Sequence, residues 1–277
     1  MSYIRTPPAH PDKVRTLADF LKISGEWHQK YSKVESGMLS QLWYRGVNAH
    51  FPNQAPGVYR EKFTERAQRL DSNQGLEKRR LRLEREMLSQ FRSAGATFLK
   101  DQSPVEIYFS AQHFGLPTRL LDWSTNPLAA LFFACYGSPS ENGVVYGMDA
   151  GQIIPSDATK DGSEKLYQSV MSMRHVWVEY AVDVSFWGPP ITGRNAYILP
   201  VRPDIIPGRI GQQSSCFTLH MHGAQPAENP TLITIEVEAT AKAGLLEELH
   251  RLNVNQFTTY YDLDHLAAEI ARSWSLS

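Results

Sequence analysis

Apolar side chains recur along this chain in two periods, one helical and one extended. Val14, Leu17, Phe20 and Leu21 share one face of an amphipathic helix predicted over Val14 to Tyr31. Leu42-Trp43-Tyr44-Arg45 reads as a short strand that Gly46 ends, and residues 47–62, with Asn, Pro and Gly, read as a loop. The longest helix is expected within Arg66 to Lys100. There Leu76, Leu83, Met87, Phe91, Ala94 and Phe98 fall on one face. Ser103-Pro104-Val105-Glu106 is a capping box with proline at the first helical position. That helix should reach His113 or Phe114, where Gly115 caps it and Pro117 prevents continuation. Arg119–Trp123 is a short strand. Asn126-Pro127 then opens an apolar, buried helix, Leu128 to Tyr136, and Gly143–Met148 is again a strand.

The C-terminal half holds more strand signal. Ala196–Val201, Cys216–His222 and Leu232–Val237 are the candidates. In the last, Ile233, Ile235 and Val237 alternate with Thr234, Glu236 and Glu238. Lys242–Leu252 and Leu263–Trp274 are closing helices, the second capped by Asp262. Helices and strands mixed in this order predict an α+β fold. No linker divides residues 1–277, so one domain is expected, with residues 1–12 as a poorly ordered arm.

Composition narrows the function. A net charge of −1 does not advertise nucleic-acid or anionic-membrane binding by the whole chain. Hydrophobic residues make up 42%, enough for a sizeable core, but the longest apolar run, Leu128–Cys135, is too short to span a bilayer. Cys135 and Cys216 lie in apolar or strand-like sequence and read as buried free thiols, which fits a cytoplasmic location. Lys78, Arg79, Arg80, Arg82 and Arg85 form a basic helix face. Glu77, Glu84 and Glu86 interleave with them, so a solvated, salt-bridged face is expected rather than a nucleic-acid patch.

Candidate chemistry concentrates between Gln112 and Pro127. His113, Thr118, Arg119, Asp122, Ser124 and Asn126 sit at the joints of helix, turn, strand and helix, where flanking apolar elements hold polar groups rigidly. Asn126 is expected as a helix cap, Arg119 as a structural ion-pair partner, and His113 is favoured by the helix C-terminus alone. Arg45 can staple two strands through Asp122 or serve a site. His220 and His222 face one side of a strand but lack a third ligand at motif spacing, so no metal site is expected and both read as exposed.

The stretch Gln112-His113-Phe114-Gly115-Leu116-Pro117-Thr118-Arg119-Leu120-Leu121-Asp122-Trp123-Ser124-Thr125-Asn126-Pro127 resembles the long signature of the FRG family. Tyr44-Arg45-Gly46 stands as that family's aromatic-Arg-Gly motif. Arg209 to Phe217 and Tyr260 to Leu266 resemble its later elements, so the resemblance runs from about residue 42 to 266. Ser215, Tyr261 and His265 depart from the family's glycine, proline and glycine.

The motif order is also similar to ADP-ribosyltransferases. That resemblance implies an ADP-ribosyltransferase-like split β-sheet core with N-terminal and flanking helices, and NAD as co-substrate. Arg45 would grip NAD, Asp122-Trp123-Ser124 would line the nicotinamide pocket and Gln213 would orient the ribose. Tyr44, Phe114 or Trp123 would supply an aromatic wall, and His113 or Asp122 a general base. Gly46, Arg119 and Asn126 would complete the binding set. The two resemblances together imply a bacterial toxin or defence effector held by an antitoxin, acting as an ADP-ribosyltransferase or NAD glycohydrolase. The alternative is a non-catalytic or nuclease-like module that binds nucleic acid, a nucleotide or a protein target, with no membrane partner.

Overall fold

The structure, a computed structural model, describes residues 4–5, 10, 12–31, 42–50, 53–70, 73–150, 198–201, 215–220, 233–260 and 263–274. Eight α-helices and an open antiparallel sheet of six strands make up the described residues, a mixed α+β architecture. In chain order the elements are β1 (Ile4–Arg5), α1 (Leu17–Tyr31), β2 (Leu42–Val47), β3 (Asn53–Gln54), α2 (Glu61–Gln68), α3 (Leu76–Ala94), α4 (Pro104–His113), β4 (Leu120–Ser124), α5 (Pro127–Cys135), β5 (Gly143–Asp149), β6 (Ile198–Val201), β7 (Ser215–His220), β8 (Ile233–Val237), α6 (Lys242–Arg251), α7 (Gln256–Tyr260) and α8 (Leu263–Ser273). β1 pairs with β3 in a small ribbon, so Ile4–Arg5 are strand where a loose arm was expected.

The large sheet has the order β6-β7-β4-β2-β5-β8. Its pairing is uneven. β2 and β5 share six register pairs, Leu42↔Asp149 to Val47↔Val144, and β4 and β7 share five, Leu120↔Leu219 to Ser124↔Ser215. β2 and β4 share one, Tyr44↔Ser124. The sheet is therefore two well-zipped halves joined at a single pair, and the site lies at that join.

Alternation along the strands builds a core on each face. Leu42, Tyr44, Val145 and Ile235 pack beneath α1, α5 and α6, against Phe20, Trp27, Leu131 and Leu245. Trp43, Trp123, Tyr146 and Met148 fill the opposite face. Leu88 of α3 and Tyr108 and Phe109 of α4 pack on Leu120, Phe217 and Leu219. Each such large apolar side chain contributes about 1.5–3 kcal/mol on burial.

Gly46 does not end β2; it lies within it, opposite Val145. A Cβ there would sit 1.8 Å from the Ala130 carbonyl oxygen, so glycine is what lets α5 lie flat on the strand. α5 in turn begins as its sequence dictates, with Asn126 Oδ1 accepting from Leu128 N at 2.9 Å. α4 likewise carries both halves of the Ser103–Glu106 capping box, and runs to His113, with Gly115 just beyond its cap at φ +84°.

The longest helix, α3, lies within the expected span, while α2 begins in the segment read as loop. The buried face of α3 differs from the expected one. Phe98 lies beyond the helix end and is 87% exposed. Arg80 and Glu84, assigned to a solvated face, are 3% and 1% exposed. Arg80 donates to Glu77 and to Thr64 Oγ1, and its guanidinium stands over Tyr59. Arg79 donates to the Gln68 and Leu70 carbonyls at the end of α2. In α1 the core face is Phe20, Ile23 and Trp27, while Leu21 is exposed. Cys135 and Cys216 are buried free thiols, as expected, and burial pushes Cys135 up to about 12. Among the described residues no helix is long and apolar enough to cross a membrane. Asp262 and His222 lie outside the described residues.

Candidate functional site

A cavity of about 460 Å³ opens where the two halves of the sheet meet. β2 contributes Tyr44, Arg45 and Gly46, β4 contributes Asp122, Trp123 and Ser124, and the end of α4 contributes Gln112 and His113. Asn126 and Phe133 stand along α5, and Asn253 to Tyr260 close the far wall.

Arg45 follows the single β2–β4 pair directly. Its Nη1 donates to the Asp122 carbonyl oxygen at 2.9 Å and lies 3.9 Å from Asp122 Oδ2. Its Nε donates to Gln54 Oε1 at 3.1 Å, which ties β3 to the site. The side chain is 14% exposed, enough to present one edge to the cavity. Among the described residues Nη2 makes no hydrogen bond. Burial lowers the pKa of Arg45 from the usual arginine value, Asp122 raises it and Arg60 lowers it further. An arginine stays charged through such a shift, so the wall holds a fixed cation.

Asp122 is the exposed position in a strand otherwise buried at both ends. Its Oδ2 accepts from Gln112 Nε2 at 2.8 Å. Burial pushes Tyr44 up to about 12, so its phenol remains a neutral donor at physiological pH. Ser124 Oγ accepts from Asn126 N at 3.0 Å, which shapes the turn from β4 into α5. Phe133 and Tyr260 meet edge to face at 5.5 Å, and His265 stacks on Tyr260 at 4.1 Å. The histidine that departs from the family pattern thus backs an aromatic wall.

Behind the cavity, Trp123 Nε1 donates to Thr218 Oγ1 at 3.1 Å, and His220 Nε2 lies 3.1 Å from the same hydroxyl. His220 is fully buried, not exposed as its strand position suggested. Burial lowers it to about 3, and the charge of Arg45 acts in the same direction. It is a neutral imidazole.

Eight sequence candidates therefore meet at one cavity: Arg45, His113, Asp122, Tyr44, Gly46, Trp123, Ser124 and Asn126. Arg119 is not among them. Its Nε donates to Glu84 Oε2 at 2.8 Å in an ion pair whose partners are almost wholly buried. Burial lowers its pKa, but Glu84 outweighs that and holds it above the usual arginine range. Gln213 lies outside the described residues. Among the described residues no cluster of three His, Cys, Asp or Glu side chains can hold a metal.

The model of the FRG domain family matches residues 40–143. Those residues are an FRG domain. The domain supplies β2, α4, β4 and α5, and with them the eight candidate residues that meet at the cavity. The wall from Asn253 to Tyr260 and Ser215 of β7 lie beyond its matched span. No curated protein and no solved structure matches the chain.

Sequence reasoning gave no role to Gln112, although it opened the candidate segment beside His113, or to Tyr260, although it stood in the family's last element. Gln54 and the wall residues from Asn253 to Thr259 were missed. Gln54 lies in a segment read as loop.

Proposed function

We propose that the cavity binds NAD and cleaves its nicotinamide–ribose bond, as an ADP-ribosyltransferase or NAD glycohydrolase. The observation that carries this reading is the pairing of Arg45 and Asp122 on one cavity wall, a buried cation and an exposed carboxylate 3.9 Å apart. The join of two zipped half-sheets at a single pair is in keeping with the split sheet expected of that superfamily.

The chemistry suits these groups. Arg45 offers its Nη2 edge to an anion such as the NAD pyrophosphate, in a setting where burial strengthens the contact. Rupture of the C1′–N bond leaves the electron pair on nicotinamide and positive charge on the ribose, as in glycoside hydrolysis. Asp122 carries the negative charge that such a transition state needs. It or His113 takes the proton of the attacking water, giving ADP-ribose, nicotinamide and one proton. Tyr260 provides a ring surface for planar groups, with Ser124 and Asn126 at the turn across the cavity. The rings of Tyr44 and Trp123 are buried in the cores behind it.

A chain that consumes NAD harms the cell that makes it unless it is restrained. An antitoxin protein and a cytoplasmic site of action are what this reading implies. The nucleic-acid alternative has less support, because Arg79 and Arg80 are engaged within the fold and Arg82 pairs with Glu86.

The test is nicotinamide release from NAD by purified protein, beside Arg45→Met and Asp122→Asn. Release by the wild type, lost in both variants, is expected. A wild-type protein that neither releases nicotinamide nor binds NAD saturably refutes the reading.

A further inference from the structure

A chain of hydrogen bonds runs into Asp122, and each link fixes the direction of the next. Leu120 N donates to Thr118 Oγ1 at 3.0 Å. With that lone pair occupied, the Thr118 hydroxyl gives its own proton to Gln112 Oε1. Thr118 is fully buried, so this donor has one orientation. The Gln112 carbonyl is thereby turned to Thr118, and its amide group faces Asp122, with Nε2 2.8 Å from Oδ2. A flipped amide would set two acceptors against each other at Asp122 and leave the threonine hydroxyl facing an N–H. The carboxylate is therefore held through Oδ2, at the side where Arg45 stands, and Oδ1 is the oxygen left for the cavity.

We propose that Gln112 is the positioning residue of this site, holding Asp122 through Oδ2 so that its other oxygen addresses the substrate. The proposal rests on the NAD-cleavage reading for its kinetic consequence, but the contact itself can be observed without any reaction. Gln112 touches no substrate on this account; it acts through Asp122. Gln112 is half-buried at the end of α4, so its replacement leaves the core intact.

The experiment has two arms. In the first, side-chain amide resonances of Gln112 are followed by NMR in the wild type and in Asp122→Ala. A downfield Nε2 proton that returns to the ordinary glutamine position in Asp122→Ala is expected. A signal indifferent to Asp122→Ala overturns the proposal.

In the second arm, nicotinamide release is measured for Gln112→Leu and Gln112→Glu. Gln112→Leu keeps the shape but not the donor. It should lower kcat on the order of 100-fold, the cost of a misplaced reacting group, with KM changed about 2-fold at most. Gln112→Glu should be active where the two carboxyls share a proton that bridges them, and should lose activity as rising pH removes it. Wild-type kcat and an unchanged pH profile in both variants overturn the proposal. A wild type that releases no nicotinamide refutes the proposed reaction instead, and the amide resonance then decides the positioning role alone.

Discussion

Nη1 of Arg45 bonds the backbone carbonyl of Asp122 at 2.9 Å and stands 3.9 Å from that residue's own carboxylate. One guanidinium thus links β2 to β4 just past their only register pair, Tyr44↔Ser124, and places opposite charges on the cavity wall. The two tasks require the planar fork of arginine, which a lysine ammonium cannot reproduce.

Arg45→Lys is therefore expected to behave more like a loss than a conservative change. A charge-assisted hydrogen bond contributes about 1.5–3 kcal/mol, so NAD affinity should fall roughly 10- to 100-fold. Calorimetric titration with NAD checks this, and circular dichroism verifies that the fold persists. Affinity within twofold of the wild type would remove Arg45 from the binding site.

Glycines 46 and 25 should respond in opposite ways to the same substitution. In Gly46→Ala the new methyl meets the Ala130 carbonyl at 1.8 Å, and α5 must lift from β2. The cost should reach at least the about 1–3 kcal/mol of an overpacked core. Gly25 lies within α1, and the place a methyl would take there has nothing within 4 Å, so Gly25→Ala should stabilise by up to about 1 kcal/mol. Urea unfolding midpoints of the two variants distinguish them.

What the sequence revealed followed the range of the interactions. The caps at Ser103 and Asn126 are made within three residues, and both stand where the residue types placed them. The polar joints around Asp122 were also legible, since a rigid strand–helix turn is a local feature. Arg45 and Asp122 are 77 residues apart, and only the topology of the sheet brings them together. Glu84 misled because its neighbours on α3 offered helical ion-pair partners; its true partner, Arg119, is 35 residues away. Gly46 misled for the same reason, since the helix that demands it passes more than eighty residues later in the chain.

Glu84 and Arg119 should dominate the stability of the α3–α4 side. Glu84 accepts from the Tyr108 hydroxyl at 2.7 Å, from Arg119 N at 3.0 Å and from Arg119 Nε at 2.8 Å. Arg119→Met strands that carboxylate in the core and should cost about 3–5 kcal/mol. Adding Glu84→Met removes the stranded charge, so the double variant should be more stable than Arg119→Met alone. Chemical denaturation of both checks the order. The reverse order would mean that the pair is not buried.

His220 should make the fold sensitive to acid. Its folded pKa is about 3, against an ordinary 6.5, because burial beside Thr218 and the charge of Arg45 disfavour the imidazolium. The unfolded chain takes up the proton as pH falls through 6.5, and the folded chain does not until about 3. Stability from this group is therefore complete above 6.5 and declines as pH falls towards 3. Its slope in that window is about 1.4 kcal/mol per pH unit. His220→Gln retains a polar group beside Thr218 but cannot titrate, so its stability should lack this component between pH 6 and pH 4, a difference of roughly 2–3 kcal/mol. Unfolding free energies of wild type and variant, measured side by side across that range, give the comparison. Parallel curves would show that His220 takes up its proton in the folded protein as readily as in the unfolded chain.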